Sequence, residues 1–390
     1  MKRIVWLASW YPTEVDVLTG DFIRRHAQAC SLLQPLHVIH VKKYAPNSKK
    51  GKRIVESTDP DFPHLRETIC HYSAKNIGFP GRIFSYAYSL WLYHALVKQF
   101  IRQHGKPHLL HVHVMLRCGL VALYFKWFHK IPYVVTEQYS GYMPEAKGIL
   151  KGITPLNYWP LKLIAEHAEA VAPVSLSLAN ALQQSFAIKA VVVIPNTVDT
   201  RIFFPQQGVA KNIPPTFLHI STLTPQKNPV KMLQGFALLK SRYQRPFQLW
   251  IVGPDQPGFK QLAADLQISD EIKWLAETTQ QNIAAFMQQV SAQVLYSCFE
   301  SFGCVNMEAL ACGVPVIVSD LPVFREYLPQ GSAAWFADGN DPSALAEVLN
   351  SFISSGPTEN RMGISEFANN FDYGSIGTML CRLYQRAIDK

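Results

Sequence analysis

The feature that most restricts the fold of this chain is an alternation. Short apolar, β-rich runs ("RIVWLAS", "LHVIHV", "LLHVHV", "YVVTE", "AVAPVS" and "VVVIPN") recur through the first half, with helix-length stretches such as 22–33 and 83–104 between them. Runs that are apolar throughout need cover on both faces, and parallel strands joined by crossover helices supply it. A second series follows, "PTFLHIST", "FQLWIVG", "EIKWLAE", "AQVLYSC" and "VPVIVSD", separated by helical patterns over 230–243, 259–266, 279–290 and 304–312.

Two such series in 390 residues predict two doubly wound α/β domains, in keeping with a length beyond what one core usually organises. The first domain is expected over residues 1–198. A linker over 199–213 lies where apolar periodicity lapses and Pro and Gly appear, and the second domain covers 214–370. Residues 371–390 carry Ile376, Met379, Leu380 and Leu383 at helical spacing, a closing amphipathic helix expected to cross back to the first domain. Open α/β sheets bind ligands beyond the carboxyl ends of their strands, so two facing domains predict an interdomain cleft.

Composition narrows the function. With 48% hydrophobic and 17% charged residues, the chain is globular rather than disordered. The seven cysteines show no C-x-x-C and no paired Cys/His spacing, which argues against a disulfide framework or a zinc site and for reduced thiols in a cytoplasmic enzyme. The opening "MKRIVWLASWYP" reads as a buried first strand rather than a signal peptide, and no apolar run approaches the roughly 20 residues of a spanning helix. Residues 1–200 hold 23 Lys/Arg against 12 Asp/Glu (+11), whereas residues 201–390 hold 14 against 16 (−2). Such asymmetry suits an anionic substrate or an anionic membrane surface, with peripheral contact at the inner face of the membrane, better than nucleic acid. The run "VKKYAPNSKKGKR", with Lys42, Lys43, Lys49, Lys50, Lys52 and Arg53, reads as a basic loop.

The chemistry concentrates in "YSCFESFGCVNMEALACGVPVIVSD", Tyr296–Asp320. "QVLYS" reads as a strand, "CFESFG" as a strand-to-helix turn, "CVNMEALAC" as a helix ended by Gly313, and "VPVIVSD" as the next strand. Glu300 then lies in the loop at the strand's carboxyl end. Glu308, in the second helical turn, leans back toward the same mouth. Free amides near Gly303 and Cys304, with the helix dipole, would meet an anion there. Paired glutamates are common, however, and their spacing alone does not separate a loop acid and a surface helix acid from a site.

The segment resembles the E-x7-E signature of glycosyltransferase family 4, the retaining GT-B enzymes, including the flanking "EALACGVPVI". Other matches occur in family order: "SWYP" followed by "GDFIRRHAQA", "LLHVHV", "VVTEQ", "APVSLSLANAL", "VIPNTVDTRIF" and "FLHISTLTPQKN". The resemblance implies a GT-B architecture, with the nucleotide-sugar (UDP- or GDP-sugar) bound mainly by the second domain and a saccharide or lipid-linked acceptor mainly by the first. It implies that Glu300 contacts donor sugar hydroxyls, Glu308 the ribose and Lys227 the leaving diphosphate. Phe302, Gly303 and Cys304 would form the turn around sugar and phosphate. Gly20, followed by Asp21, would let the first domain's loop approach the diphosphate. His111, His113, Glu137 and Gln138 would line the acceptor side. Neither a metal nor another cofactor is expected, since no DxD-type sequence stands at a nucleotide site and Lys227 with backbone amides can meet the developing charge.

Two departures from the family stand out. Thr222 occupies the place where many relatives have an arginine, and Gln138 one where relatives often have a histidine. Arg24 and Arg25 could replace the missing cation or simply solvate the first helix. His111 and His113 are read as projecting to opposite faces of their strand, so that they do not share a metal. Residues 83–104 carry Phe84, Tyr88, Trp91, Leu92 and Phe100, which fit either a core helix or a membrane-seated face. Residues 141–162 form a Gly/Pro-punctuated connection that fits either an acceptor loop or a packed crossover. The leading expectation is a retaining glycosyltransferase of cell-surface polysaccharide assembly. The alternatives are a catalytically weakened sugar-nucleotide-binding relative and a nucleotide-sugar epimerase of the same fold.

Overall fold

The computed structural model describes residues 2–44, 51–73, 78–206, 208, 212–329, 331, 333–356 and 360–389. The chain divides into unit 1 (Met1–Tyr142, Gly152–Thr197 and Tyr373–Lys390) and unit 2 (Met143–Lys151 and Val198–Asp372).

In unit 1 the order is β1 (Ile4–Ala8), α1 (Asp21–Ser31), β2 (Leu36–Lys43), β3 (Arg53–Asp59), β4 (Phe62–Tyr72), α2 (Gly78–His104), β5 (Leu109–His113), α3 (Gly119–His129), β6 (Tyr133–Glu137), α4 (Pro155–His167), β7 (Val171–Pro173) and α5 (Leu176–Ser185). Unit 2 continues with β8 (Thr216–Ile220), α6 (Pro229–Tyr243), β9 (Gln248–Val252), α7 (Pro257–Asp265), β10 (Ile272–Leu275), α8 (Gln280–Gln289), β11 (Ala292–Leu295), α9 (Cys304–Ala311), β12 (Val316–Ser319), α10 (Pro322–Tyr327), β13 (Ala334–Ala337), α11 (Pro342–Ser355) and α12 (Arg361–Ala368). The closing helix α13 (Tyr373–Ile388) belongs to unit 1.

Among the described residues the unit 1 sheet has the order β3-β4-β2-β1-β5-β6-β7, parallel except for the β3–β4 hairpin. The unit 2 sheet runs β10-β9-β8-β11-β12-β13, all parallel. Both are doubly wound Rossmann-like sheets. Each reverses direction once, at β1 with β2 and β5 on either side, and at β8 with β9 and β11 on either side. Crevices at such switch points are where open α/β sheets bind ligands.

The apolar runs fold as they do because they are covered on both faces. All five residues of β1 are buried, as are all those of β5, β6, β11 and β12. Trp6 anchors the first core and Phe217 and Phe236 the second, each burial contributing about 1.5–3 kcal/mol. On α13, Ile376, Leu380, Leu383 and Ala387 are buried in the same cluster as Ile23, Ala27 and Cys30 of α1.

Three local expectations need correction. "VVVIPN" is not a strand: it makes one bridge, Val191 to Val171, and donates from Val192 and Ile194 to the carbonyls of Val171 and Pro173. Its partner β7 is only three residues long, and Pro195 has no N–H with which to extend a ladder. The basic run is not one loop either. Lys42 and Lys43 end β2, and Arg53 begins β3. Lys42 pairs with Asp16 at 2.6 Å and Arg53 with Glu14 at 3.1 Å, while Lys49 and Lys50 lie outside the described residues. Strands β3, β4 and β13 had no counterpart in the apolar-run reading. β3 is a mostly exposed edge.

Among the described residues no helix is long and apolar enough to cross a membrane.

Candidate active site

In unit 2 two loops leave the carboxyl ends of β8 and β11, the strands flanking the switch point. The loop after β8 turns through the 3-10 segment Pro225–Lys227. It is laced to the loop after β11 twice: Cys298 N–H donates to the Gln226 carbonyl (2.8 Å), and the Gln226 side-chain amide donates to the Phe299 carbonyl (3.1 Å). This lacing brings the Lys227 ammonium to the Glu300 carboxylate at 2.5 Å. Ser297 donates its hydroxyl to the same oxygen, Oε1, at 2.7 Å. Glu300 is 6% and Lys227 21% exposed at the side chain, so the pair is shielded yet reachable from the lysine side. Lysine has three N–H donors, and one bond to Glu300 leaves capacity for an incoming anion.

The turn beyond is built on Gly303, whose φ of 83° falls in the left-handed region that favours glycine. It directly precedes α9, where the first amides have no partner within the helix. Phe302 is buried and stacks on Tyr327 with ring centroids 4.5 Å apart. Burial, followed by the charge of Glu300, raises the Tyr327 phenol well above its ordinary value. Cys304 is half-buried at the head of α9, and Glu308 is buried one turn further on. Thr222 is exposed, and its carbonyl accepts from Gln256 (3.3 Å).

The corresponding end of unit 1 is organised differently. Gly20 caps α1 with φ 81°, and a Cβ there would lie 2.6 Å from the Trp10 carbonyl carbon and the Tyr11 nitrogen, so glycine alone fits without a shift of that backbone. Asp21 pairs with Arg25 at 2.7 Å. Neither arginine of α1 is a solvating surface residue: Arg25 is buried, and Arg24 joins Glu67 (3.0 Å) and Asp59 (3.4 Å), two buried carboxylates. The expectation for the β5 histidines also fails. His111 and His113 share a face, with rings 4.1 Å apart, because side chains two apart on a strand project the same way.

The two histidines have unlike surroundings. His111 uses both ring nitrogens internally, against the Tyr384 hydroxyl and the Thr136 hydroxyl (2.8 Å each). His113 stacks on Trp6 at 3.9 Å and is buried with neither nitrogen partnered among the described residues. Burial keeps both imidazoles neutral by holding their pKa values well below the ordinary range.

At the end of β6, the Glu137 carboxylate accepts from the backbone N–H groups of Gln138 (2.9 Å), Tyr139 (3.0 Å) and Met115 (3.0 Å). Burial nonetheless outweighs those amides and raises its pKa to about 7. The neighbouring Gln138 is 5% exposed, and both its amide atoms lack partners among the described residues. Thus His113 and Gln138 keep open hydrogen-bonding atoms, whereas His111 and Glu137 are occupied in bracing the fold. Sequence reasoning missed Ser297 and Gln226, which hold the Lys227–Glu300 pair in place. The only signal for either was its position within three residues of a motif residue.

Comparison with known proteins agrees with the two-unit α/β fold. Residues 200–368 match the family model described as glycosyl transferases group 1, and residues 54–202 match that of glycosyltransferase family 4. A D-inositol 3-phosphate glycosyltransferase of Corynebacterium efficiens is 29% identical over 177 residues, 43% of this chain and 42% of that protein. Across the curated relatives the matched stretch spans between 26% and 56% of the relative's length. Among solved structures, sucrose-phosphate synthase from Thermosynechococcus elongatus superposes with a TM-score of 0.76 at 17% identity, over 99% of both chains. Anabaena HepE, solved with UDP and glucose, gives 0.69 at 17% identity over 99% of this chain and 100% of that one. At these identities the superpositions establish the fold.

Proposed function

The chain belongs to glycosyltransferase family 4, and from that premise we propose that it transfers a sugar, with retained anomeric configuration, from a nucleotide-sugar held by unit 2 to a saccharide or lipid-linked acceptor held by unit 1. The observation that carries this reading is the shielded Lys227–Glu300 pair at the unit 2 switch point, beside the glycine turn that heads α9.

In the reaction the bond from the anomeric carbon to the diphosphate oxygen breaks and a bond from that carbon to the acceptor oxygen forms. The acceptor's proton passes to the departing diphosphate on the same face. Negative charge grows on the diphosphate, and in this reading Lys227 and the amides at Gly303 and Cys304 meet it, with no metal required. Glu300 takes the donor sugar's hydroxyls and Glu308 the ribose. His113 and Gln138 offer their open atoms to the acceptor. Assembly of cell-surface polysaccharide at an anionic membrane is the setting that fits the +11 charge of residues 1–200.

A thermal-shift panel of UDP-, GDP- and ADP-sugars tests the donor site. A true donor at 100 times its Kd stabilises the fold by about 2.7 kcal/mol, and no shift with any of them overturns the proposal. Thr222, exposed and uncharged where relatives have an arginine, supports a second reading, a sugar-nucleotide-binding relative with weak turnover. Donor binding without transfer to any saccharide or lipid-linked acceptor would select it.

A further inference from the structure

Unit 1 has a cavity of about 350 Å³ at the amino-terminal edge of its sheet, opposite the strand ends that carry His113 and Gln138. Along the eight residues of β2 the two edges lie about 26 Å apart, at roughly 3.3 Å per residue. The position of the cavity follows from strand register. Ile4 of β1 pairs with Leu36 of β2, and Leu36 with Leu65 of β4, so three neighbouring strands begin side by side. Side chains alternate between the faces of a sheet. His37 is the register partner of both Val5 and Arg66, Arg3 stands two residues before Val5, and His64 two before Arg66, which puts all four on one face. The end of α2 covers that face: the Phe100 ring meets His37 edge-on at 5.2 Å and lies 4.9 Å from His104.

No lining residue is acidic, and Lys2, Arg3 and Arg66 contribute three cations. Two of them have internal partners. Lys2 pairs with Asp389 (3.5 Å) and donates to the Gln385 side chain (2.8 Å), and Arg3 donates its Nε–H to the Lys106 carbonyl just beyond α2 (3.2 Å), keeping its terminal nitrogens. Arg66 has no partner among the described residues. The adjacent carboxylate, Glu67, lies on the other face of β4 and is taken by Arg24 (3.0 Å) and Tyr11 (2.6 Å). Elsewhere in unit 1 Arg25, Lys42 and Lys126 are each paired with an acid, at 2.7, 2.6 and 2.5 Å. A guanidinium has five N–H donors in a fixed fork, the geometry that suits a phosphate, and here it stands at a hollow without a carboxylate.

The rest of the lining selects the body of the ligand. Ile4, Leu36 and Phe100 are buried apolar residues, and no hydroxyl, carboxamide or carboxylate is among the lining side chains. Sugar hydroxyls find little to bond there, whereas a flat ring finds the Phe100 and His104 rings. His37 gives Nε2 to the Thr68 hydroxyl (2.8 Å), and its Nδ1 has no partner among the described residues. Burial, then the charges of His104 and Arg66, lowers the His37 pKa to about 4, so the imidazole is neutral and one polar atom faces an otherwise apolar wall. Small-molecule pockets run to roughly 300–1,000 Å³, and a cavity at the low end of that range suits one ring system with one phosphate.

We propose that this cavity binds a nucleoside monophosphate, with the phosphate on Arg66 and the terminal nitrogens of Arg3, the base against Phe100 and His104, and a polar edge of the base at His37 Nδ1. The site lies wholly within unit 1 and does not rest on the transferase reading.

The test is isothermal titration of the full chain with AMP, GMP, CMP and UMP, and with inorganic phosphate and phenyl phosphate. At least one nucleotide is expected to bind about tenfold tighter than inorganic phosphate. Arg66→Gln should weaken the nucleotide and inorganic phosphate alike, about tenfold or more, as loss of a hydrogen bond to a charged group does. His104→Ala should weaken the nucleotide about fivefold and leave inorganic phosphate unchanged. Arg66 and His104 are both exposed, so these variants keep the fold, and a thermal melt checks it. Lys227→Ala, at the unit 2 site, should leave the titration unchanged. Photolabelling with azido-AMP should place adducts within residues 35–37, 63–66 or 100–106. The proposal is overturned if no nucleotide binds, if inorganic phosphate or phenyl phosphate binds as tightly as the best nucleotide, or if Arg66→Gln has no effect. Binding abolished by Lys227→Ala, or adducts confined to residues 222–228 and 297–308, would assign the nucleotide to unit 2 and overturn it as well.

Discussion

Units 1 and 2 share one plan and fill it with opposite chemistry. In both, a left-handed glycine heads a helix that follows a strand at the switch point, Gly20 before α1 and Gly303 before α9. Unit 2 then places an ammonium and a carboxylate 2.5 Å apart at the strand ends. Unit 1 places neutral imidazoles and a carboxyl with a pKa of about 7. The contrast teaches that a doubly wound sheet fixes where a ligand meets the fold, whereas the side chains on its strand ends decide which part of the ligand that is. In the proposed reaction the charged pair takes the diphosphate and its sugar, and the neutral groups with open hydrogen-bonding atoms take the acceptor's hydroxyls.

The largest effect should come from breaking the charged half of the comparison. Lys227→Ala is expected to lower kcat about 100- to 1,000-fold, as the loss of one preorganised donor to a developing oxyanion does. Gln138→Ala in unit 1 should instead raise the acceptor KM about tenfold with little change in kcat. Steady-state kinetics with donor and acceptor varied separately distinguish these outcomes. Equal effects on kcat from both variants would erase the division of labour between the units.

The next contrast is in pH dependence. Every histidine except His219 belongs to unit 1. Burial lowers His26 to about 4 and His40 to about 3, and places His111 and His113 well below their ordinary value. A lowered imidazole pKa contributes stability that is full above the unfolded value near 6.5 and is lost as pH falls through the folded one. Glu137 has the opposite sign. Its raised pKa contributes stability below about 4.5 that is lost as pH rises through about 7. Glu137→Gln removes that contribution. Its stability relative to the unmodified chain should therefore rise by about 3 kcal/mol between pH 4.5 and pH 7. Urea unfolding at the two pH values measures the change. A constant difference would mean that the three amides, not burial, govern this carboxyl.

The paired glycines allow a structural test. Alanine at either position bears the left-handed penalty of about 1–2 kcal/mol. At Gly20 the added Cβ also meets the backbone of Trp10 and Tyr11 at 2.6 Å, and backbone cannot swing aside. At Gly303 it meets side chains, the nearest being Phe324 at 3.0 Å. Gly20→Ala should therefore cost about 2–3 kcal/mol and Gly303→Ala about 1–2 kcal/mol in denaturant unfolding. Equal costs would show that the Trp10–Tyr11 segment moves as readily as a side chain.

What could be read in advance follows the same physics. The two parallel series were legible because strands covered on both faces must be apolar throughout, as β1, β5 and β11 are. The edge strand β3 was not, since an exposed edge carries no such pattern. Glu300 and Lys227 were accessible through their motifs, and their contact follows from two loops at one switch point. Which residues keep open atoms was beyond sequence reasoning. His111 and His113 are identical in type and two apart, and only the Tyr384 and Thr136 hydroxyls, distant in sequence, consume one and spare the other. The loop after β5, where Val114 and Arg117 hold φ values of 65° and 77°, was equally hidden, because nothing in "HVMLRCG" announces a non-glycine residue at positive φ.

The smallest effect tests how the charged pair is held. Ser297 and Lys227 both donate to Oε1 of Glu300, at 2.7 Å and 2.5 Å, so the serine hydroxyl fixes the carboxylate's rotation and the lysine supplies the charge. Removing the hydroxyl leaves the ion pair but frees that rotation. Hydrogen bonds to charged groups are worth about 1.5–3 kcal/mol, and the remaining lysine donor should retain part of this, so Ser297→Ala is expected to cost about 1 kcal/mol. If Ser297 positions Glu300 against the donor sugar, the loss should appear as a roughly fivefold rise in the donor KM, while binding of free UDP or GDP, which lacks the sugar, stays unchanged. A matching loss in binding of the free nucleotide would instead place Ser297's influence on Lys227 and the diphosphate, and the division between a sugar-binding carboxylate and a phosphate-binding ammonium would have to be redrawn.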